Sequence, residues 1–490
     1  MGNPISEAVR KEVPLPPATL SQKPLHVLGQ ELNLFQLSPI NSSFTKKHWV
    51  EHKPVFQSGK SSVEFSISGS GTQYTDLASS YLSLKVKITR PGENTPFPQD
   101  NTVATALPVD NVLHSLWSDV QVKLNGTLVC TSNTNYAYKA YIESLLKYNT
   151  MAKENQLTMQ GFTADKKNFD QTDPDQTPVS FGLRERYNWW KRIGTIYKNT
   201  VPITDDMDEN EIWRDPTSVQ FLGPLMADIF QQDRLIMNGV TIDIKLIPHK
   251  DAFRLITWPE TTQAEIQIED IKLMVCRITL APETFLGIEK TLQTVPVVYP
   301  YARTDVRTFN LSENSYGETY ENFYPGEVPS KVIIGMVKAD AFTGHYGLNP
   351  FRFRPFDIET LAFYVDDVST PKQPFNFDVR DNGYLEGLHS LYEVTGKWMK
   401  NTDMPITRDN YRQGLFLVGF DIDGATSPNL TSYVGENKSG RSRLMIRFKK
   451  PLPFNVTLIV YAAFQETAQI DFTRNVSLRE KDKVLKYLRP

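Results

Sequence analysis

At 490 residues the chain is too long for one ordinary hydrophobic core, so two or three domains are expected. Hydrophobic residues make up 40% and charged residues 22%, which excludes a disordered chain, and a formal net charge of −3 leaves no bulk basic footprint for nucleic acid. The 32 prolines and 26 glycines run along the whole length, which disfavours long helices and suits many short strands joined by turns.

Residues 1–55 read as an N-terminal arm. Pro14, Pro16, Pro17 and Pro24 keep it extended, and Leu32, Leu34, Phe35 and Leu37 give it apolar side chains for docking. It opens Met1-Gly2-Asn3-Pro4-Ile5-Ser6, which fits an N-myristoylation pattern at Gly2. A plain arm is the favoured reading of so short a motif, and one acyl chain would give only marginal membrane contact. No apolar signal core and no membrane-length apolar run is present, so secretion is not expected.

Residues 56–282 read as a first all-β domain. Val63, Phe65 and Ile67 alternate with polar residues, as do Leu82, Leu84, Val86 and Ile88, and this period of two marks strands with one buried face. Val120, Val122 and Leu124 lead into Asn125-Gly126, a strong hairpin signal, and Asn238-Gly239 before Val240–Leu246 reads as a second. Tyr138, Tyr141, Ile142, Leu145 and Leu146 fall at helical spacing, which predicts a short helix over 135–148. Residues 150–215 have few apolar runs and read as a long loop anchored by Trp189, Trp190 and Trp213. Ile266–Ile278 supply the last strands before Ala281-Pro282.

A connector near 283–298 opens a second β domain, 283–476. Its clearest strands are Val332–Val337, Leu415–Phe420, Leu444–Phe448 and Val456–Phe464; the last is nearly all apolar, as a strand buried on both faces would be. A second long loop is expected at about 365–412, and 477–490 form a tail. The halves end alike, Arg234–Ile247 resembling Arg443–Phe464. Composition and periodicity lead to two β sandwiches, for which jelly rolls are one standard way of protecting strand edges.

Chemistry is sparse. His48-Trp49-Val50-Glu51-His52 fits the H-x-x-E-H zinc motif, but that chemistry needs both histidines on one helical face, and Pro54 leaves little room for a helix. A surface-docking segment is the favoured reading of His48, Glu51 and His52, and no metal or other cofactor is expected. The other five histidines are scattered; phosphate-loop, dinucleotide and nucleophile-elbow motifs are absent. Asp205, Asp206, Asp208 and Glu209 lack calcium-loop spacing. Cys130 and Cys276 sit in apolar runs and read as buried free thiols. Arg184–Arg192 and Arg352–Phe356 interleave cations with aromatics, which suits base stacking, though at the first stretch an anchored loop or an interface is favoured. The profile is that of an assembly subunit and not of an enzyme.

Several stretches resemble the double jelly-roll major capsid proteins of the Polinton/Maverick and adintovirus group. They are Leu113–Val120 running to Asn125-Gly126, Asn135–Glu143, Leu235–Leu246, Phe323-Tyr324-Pro325-Gly326 with Pro329-Ser330, Gly344 with Asn349-Pro350-Phe351, and Tyr461–Val476. Together they span about residues 55–476; the arm and the 150–215 loop are unmatched. The resemblance implies an all-β fold of two tandem eight-stranded antiparallel jelly rolls. It implies homotrimers whose six rolls make a pseudo-hexagonal unit, tiling an icosahedral shell around double-stranded DNA. Penton and minor capsid proteins would be partners, without sequence-specific DNA binding. Assembly would occur in host cytoplasm or nucleus, and the product would reside in the virion. A jelly-roll glycan-processing enzyme, a glycan-binding attachment protein and a domesticated cellular copy of a capsid gene stand as alternatives.

Overall fold

The computed structural model describes residues 41–57, 62–69, 71–97, 104–131, 134–174, 180–191, 218–370, 373–422 and 438–478. The described residues from Ser43 onward cluster as one compact unit. The first half contributes β1 (Phe44–His52), β2 (Phe56–Gln57), β3 (Val63–Ile67), β4 (Gln73–Thr89), β5 (Thr105–Pro108), β6 (Trp117–Leu124), β7 (Thr127–Cys130), β8 (Val219–Gly223), β9 (Ile242–Pro248), β10 (Leu255–Trp258) and β11 (Glu265–Leu280). The second half contributes β12 (Val297–Leu311), β13 (Gly317–Tyr320), β14 (Lys331–Lys338), β15 (Ile358–Val365), β16 (Val368–Ser369), β17 (Phe375–Asn376), β18 (Leu417–Asp421), β19 (Ser442–Phe448), β20 (Val456–Ile470) and β21 (Val476–Leu478).

Every ladder between these strands is antiparallel. One sheet of the first half has the order β1-β11-β4-β8 and the other β2-β3-β9-β6-β7, with β5 and β10 paired apart. In the second half the orders are β12-β20-β14-β18 and β13-β19-β15-β16, with β21 beside β20 and β17 beside β15. Strand for strand the second half repeats the first: β12, β20, β14 and β18 stand where β1, β11, β4 and β8 stand, and β13, β19, β15 and β16 match β3, β9, β6 and β7. This crossover order is the jelly roll, and the molecule holds two in tandem.

The alternation visible in the sequence is the inward face of these sheets. Leu82, Leu84, Val86 and Ile88 on β4 are buried, each such side chain contributing roughly 1.5–3 kcal/mol of transfer free energy. In β20 every residue from Val456 to Ala462 is buried, because the strand is central between β12 and β14 and both its faces are covered. Both rolls join their fourth and fifth strands by tight turns with two residues at positive φ. These are Asn125 (46°) with Gly126 (81°) between β6 and β7, and Asp366 (48°) with Asp367 (66°) between β15 and β16. That geometry matches the right-handed strand twist.

Several expectations need correction. Phe44–His52, assigned to the arm, is the edge strand β1, hydrogen-bonded along β11 from His52–Leu273 to Phe44–Leu280. Its Lys46, Lys47 and Glu51 point to solvent, which hid the strand in the sequence. Asn238-Gly239 does not make a two-residue hairpin. Only Gly239 has positive φ, and the preceding segment forms a single bridge, Ile236 to Thr75. The glycine serves close packing as well, since a Cβ on the facing Gly69 would lie 2.6 Å from the Gly239 carbonyl carbon. The connector is a helix, Pro282–Leu292, with proline in its first turn where the missing N–H costs nothing. The two long loops carry helices, Thr150–Glu154 and Phe181–Lys191 in one, Leu385–Val394 and Arg408–Gly414 in the other. Finally, Arg234–Ile247 and Arg443–Phe464 are out of step, because β9 matches β19 while the counterpart of β20 is β11.

Candidate assembly surfaces

The helix predicted over 135–148 runs from Tyr136 to Lys147 and is inserted between the rolls. Tyr136 and Ala140 belong to the first core; Tyr138, Tyr141, Ile142, Leu145 and Leu146 belong to the second. Tyr141 stacks on Phe351 with centroids 4.2 Å apart, and Tyr138 donates a hydrogen bond to the Pro350 carbonyl at 3.1 Å.

A fully buried lysine and glutamate on this helix would be destabilising if unpaired. Here they form a network that crosses the junction. The Lys139 ammonium lies 2.9 Å from Glu143 and 3.1 Å from Asp228, and also donates to the Met226 carbonyl. From the second roll, the Tyr461 hydroxyl donates to Glu143 at 3.1 Å and the Thr304 backbone N–H to Asp228 at 2.9 Å. Burial opposes ionisation of Glu143, but Lys139, Lys147 and the hydrogen bond from Gln231 outweigh it and hold the carboxyl down at about 2. For Lys139, burial favours the neutral amine; Asp228 and Glu143 more than offset this and raise its pKa.

The same junction covers the outer face of β12. Tyr299 donates to the Leu235 carbonyl and Tyr301 to the Val129 carbonyl, each at 3.1 Å, so both tyrosines lie under the first roll with rings buried and hydroxyls satisfied.

The aromatic and basic stretch Arg184–Arg192 belongs to the helix Phe181–Lys191, with Arg192 outside the described residues. Trp190 is buried and stacks on Phe221 of β8 at 5.7 Å, while Trp189 meets the same ring edge-on at 6.2 Å. They anchor this helix to its own roll; Trp213 and Gly2 lie outside the described residues. Arg186 is fully buried, 3.2 Å from Asp165 and 3.9 Å from Asp110, and cannot reach a nucleic-acid base. Burial, opposed by Arg186 and reinforced by Asp165, pushes the Asp110 carboxyl up to about 7. The second stretch, Arg352–Phe356, lines an open cleft of about 700 Å³ with Arg412, Lys450 and Phe454. Arg352 pairs with Asp170, and Arg354 lies over the Phe356 ring at 5.2 Å.

The zinc reading fails on geometry. On a strand, His48 and His52 share one face four residues apart, roughly 13 Å along the chain, and Glu51 points the other way to pair with Lys272 at 3.3 Å. Among the described residues no group of three or more His, Cys, Asp or Glu is placed to hold a metal ion. Cys130 and Cys276 are both free and buried. The exposed large apolar side chains include Phe44, Trp49 and Val55 on or just after β1, and Val368, Leu385, Trp398 and Met399 in the second roll. Sequence reading missed the ionic junction. The available signal was Lys139 and Glu143 one turn apart within an otherwise apolar helix.

Two jelly rolls in tandem, packed side by side through a buried polar junction, define a double jelly-roll protein. Solved structures with this architecture include one from the Sputnik virophage (TM-score 0.56, 11% identity, 97% of each chain covered). Others are the PBCV-1 virus capsid (0.52, 10%, 91% of this chain and 99% of that one) and the Faustovirus major capsid protein (0.50, 9%, 90% and 92%). The chain thus has the fold of viral major capsid proteins. Among curated proteins, an uncharacterized protein of Caenorhabditis elegans is 22% identical over 422 residues, 84% of this chain and 92% of its own length. No protein-family model matches the chain.

Proposed function

We propose that the protein is a non-enzymatic shell subunit, a major capsid protein that forms homotrimers and tiles an icosahedral shell around double-stranded DNA. The observation that carries this reading is the repeat itself: two rolls of one topology locked together, a build in which three copies would present six rolls. The likeness in fold to virus capsid chains over nine-tenths of the sequence supports it. On this reading its partners are copies of itself, with separate penton and minor capsid proteins at vertices and seams, and its destination is a virion assembled inside the host cell. Gly2 is the proposed acylation site should membrane contact occur.

Within this reading a Polinton/Maverick–adintovirus origin is the proposed assignment. A second reading is a domesticated cellular copy of a capsid gene, for which the nematode relative, matched over 92% of its length, is the motivating observation. Mass photometry of the purified full chain is expected to show a three-copy species at micromolar concentration. A strictly monomeric protein would overturn the proposal.

A further inference from the structure

The repeat permits residues to be matched between rolls by ladder register alone. Leu82 of β4 pairs with Gly223, the last residue of β8, as Lys331 of β14 pairs with Asp421, the last of β18. Leu82 also faces Leu273, and Lys331 faces Ala463. Those two in turn pair with His52 on β1 and Thr304 on β12. Three residues earlier on each edge strand, Trp49 therefore stands where Tyr301 stands. By the same argument Val368, which pairs with Val365 across the turn, matches Thr127, which pairs with Leu124.

The matched positions have different surroundings. Tyr301 is 5% exposed, its hydroxyl bonded to Val129 just after Thr127, because the first roll covers β12. Trp49 is 45% exposed. The inserted helix repeats too: Lys139, Glu143, Lys147 and Tyr148 are echoed by His389, Glu393, Lys397 and Trp398, each 250 positions later. Lys139 pairs with Glu143 and His389 with Glu393. Yet residues 136–146 are all buried between two rolls, whereas Leu385–Val394 buries only Gly387, Ser390, Leu391 and Val394 and leaves Leu385 43% exposed. Within one chain, then, the first roll's helix and turn have a strand to cover, and the second roll's do not. The first roll's edge strand keeps its outer face half-open: Trp49 donates its indole N–H to the Ser79 carbonyl at 3.1 Å and its ring is otherwise 45% exposed.

We propose that these two open surfaces are partners in different copies: the outer face of β1, centred on Trp49, docks under the turn at Val368 and the helix Leu385–Val394 of a neighbouring chain. The contact repeats between copies the junction already formed within each copy. It is head-to-tail, which gives a ring when the rotation per copy closes and an open filament when it does not; the trimer reading requires closure at three copies. The inference rests on the self-assembly reading and specifies its surface.

The test uses two full-length single variants, Trp49→Cys and Val368→Cys, against a background whose native cysteines are buried. Mixed under conditions that allow subunit exchange and treated with a short bis-maleimide, they are expected to give a covalent dimer that neither variant gives alone. Trp49→Ala is expected to weaken trimerisation about tenfold or more, as loss of a central tryptophan anchor does, with circular dichroism unchanged because the side chain is half-exposed in one chain. A trimer that persists with no 49–368 link and no response to Trp49→Ala would overturn this surface and leave self-assembly standing. Absence of any oligomer would overturn both.

Discussion

Lys139 shows how much one side chain can hold in place. It is the only cation within ion-pair distance of Asp228 among the described residues, and it shares Glu143 with Lys147. Replacing it by methionine keeps the volume but leaves buried carboxylates unbalanced. Lys139→Met is expected to cost about 3–5 kcal/mol in urea unfolding, far more than an exposed pair such as Lys245–Glu64 would. Glu143 adds a pH dependence with a definite sign. Its carboxyl titrates at about 2 in the folded protein against an ordinary value of 4.5. Its contribution is complete above 4.5 and is lost as pH falls through that window toward 2, so the urea midpoint should drop there. Glu143→Gln should flatten that part of the profile; an unchanged slope would contradict the assignment. The sequence could not display this centre, because a lysine and a glutamate on a helix read as its solvated face until a second roll is known to cover them.

At the scale of elements, legibility followed burial. Strands with one dry and one wet face, such as β4 and β9, were visible as alternation, and β20 as a continuous apolar run. The helix Tyr136–Lys147 was visible by spacing, although its burial on all sides was not. The edge strand β1 was hidden because apolar Trp49 lies on its exposed face beside Lys47 and Glu51, while its inward residues are only half-covered. Turn chemistry was legible where both central residues take positive φ. Asn125-Gly126 met that condition, whereas at Asn238-Gly239 the dipeptide was present without the conformation. The counterpart of Asn125-Gly126 in the second roll, Asp366-Asp367, adopts the same turn with less favourable residues and so was not seen. Gly126 has open space around a would-be Cβ, so Gly126→Val would act through the backbone alone. It is expected to cost about 1–2 kcal/mol by thermal unfolding, with no loss of fold. None of the proposed sites was readable as chemistry: His48, Glu51 and His52 matched a helical motif but lie on a strand.

For the whole molecule, the repeat matters more than any single site. Each roll carries a helix between its fifth and sixth strands, and one of those helices is spent joining the rolls. On the proposed contact a chain holds one satisfied junction and half of each of two others, and such a chain forms a ring if the rotation per copy closes and a filament if it does not. Negative-stain electron microscopy of the purified full chain tests this most directly. The account predicts six-lobed, three-fold particles with lobes of equal size; two-lobed particles at every concentration would contradict it.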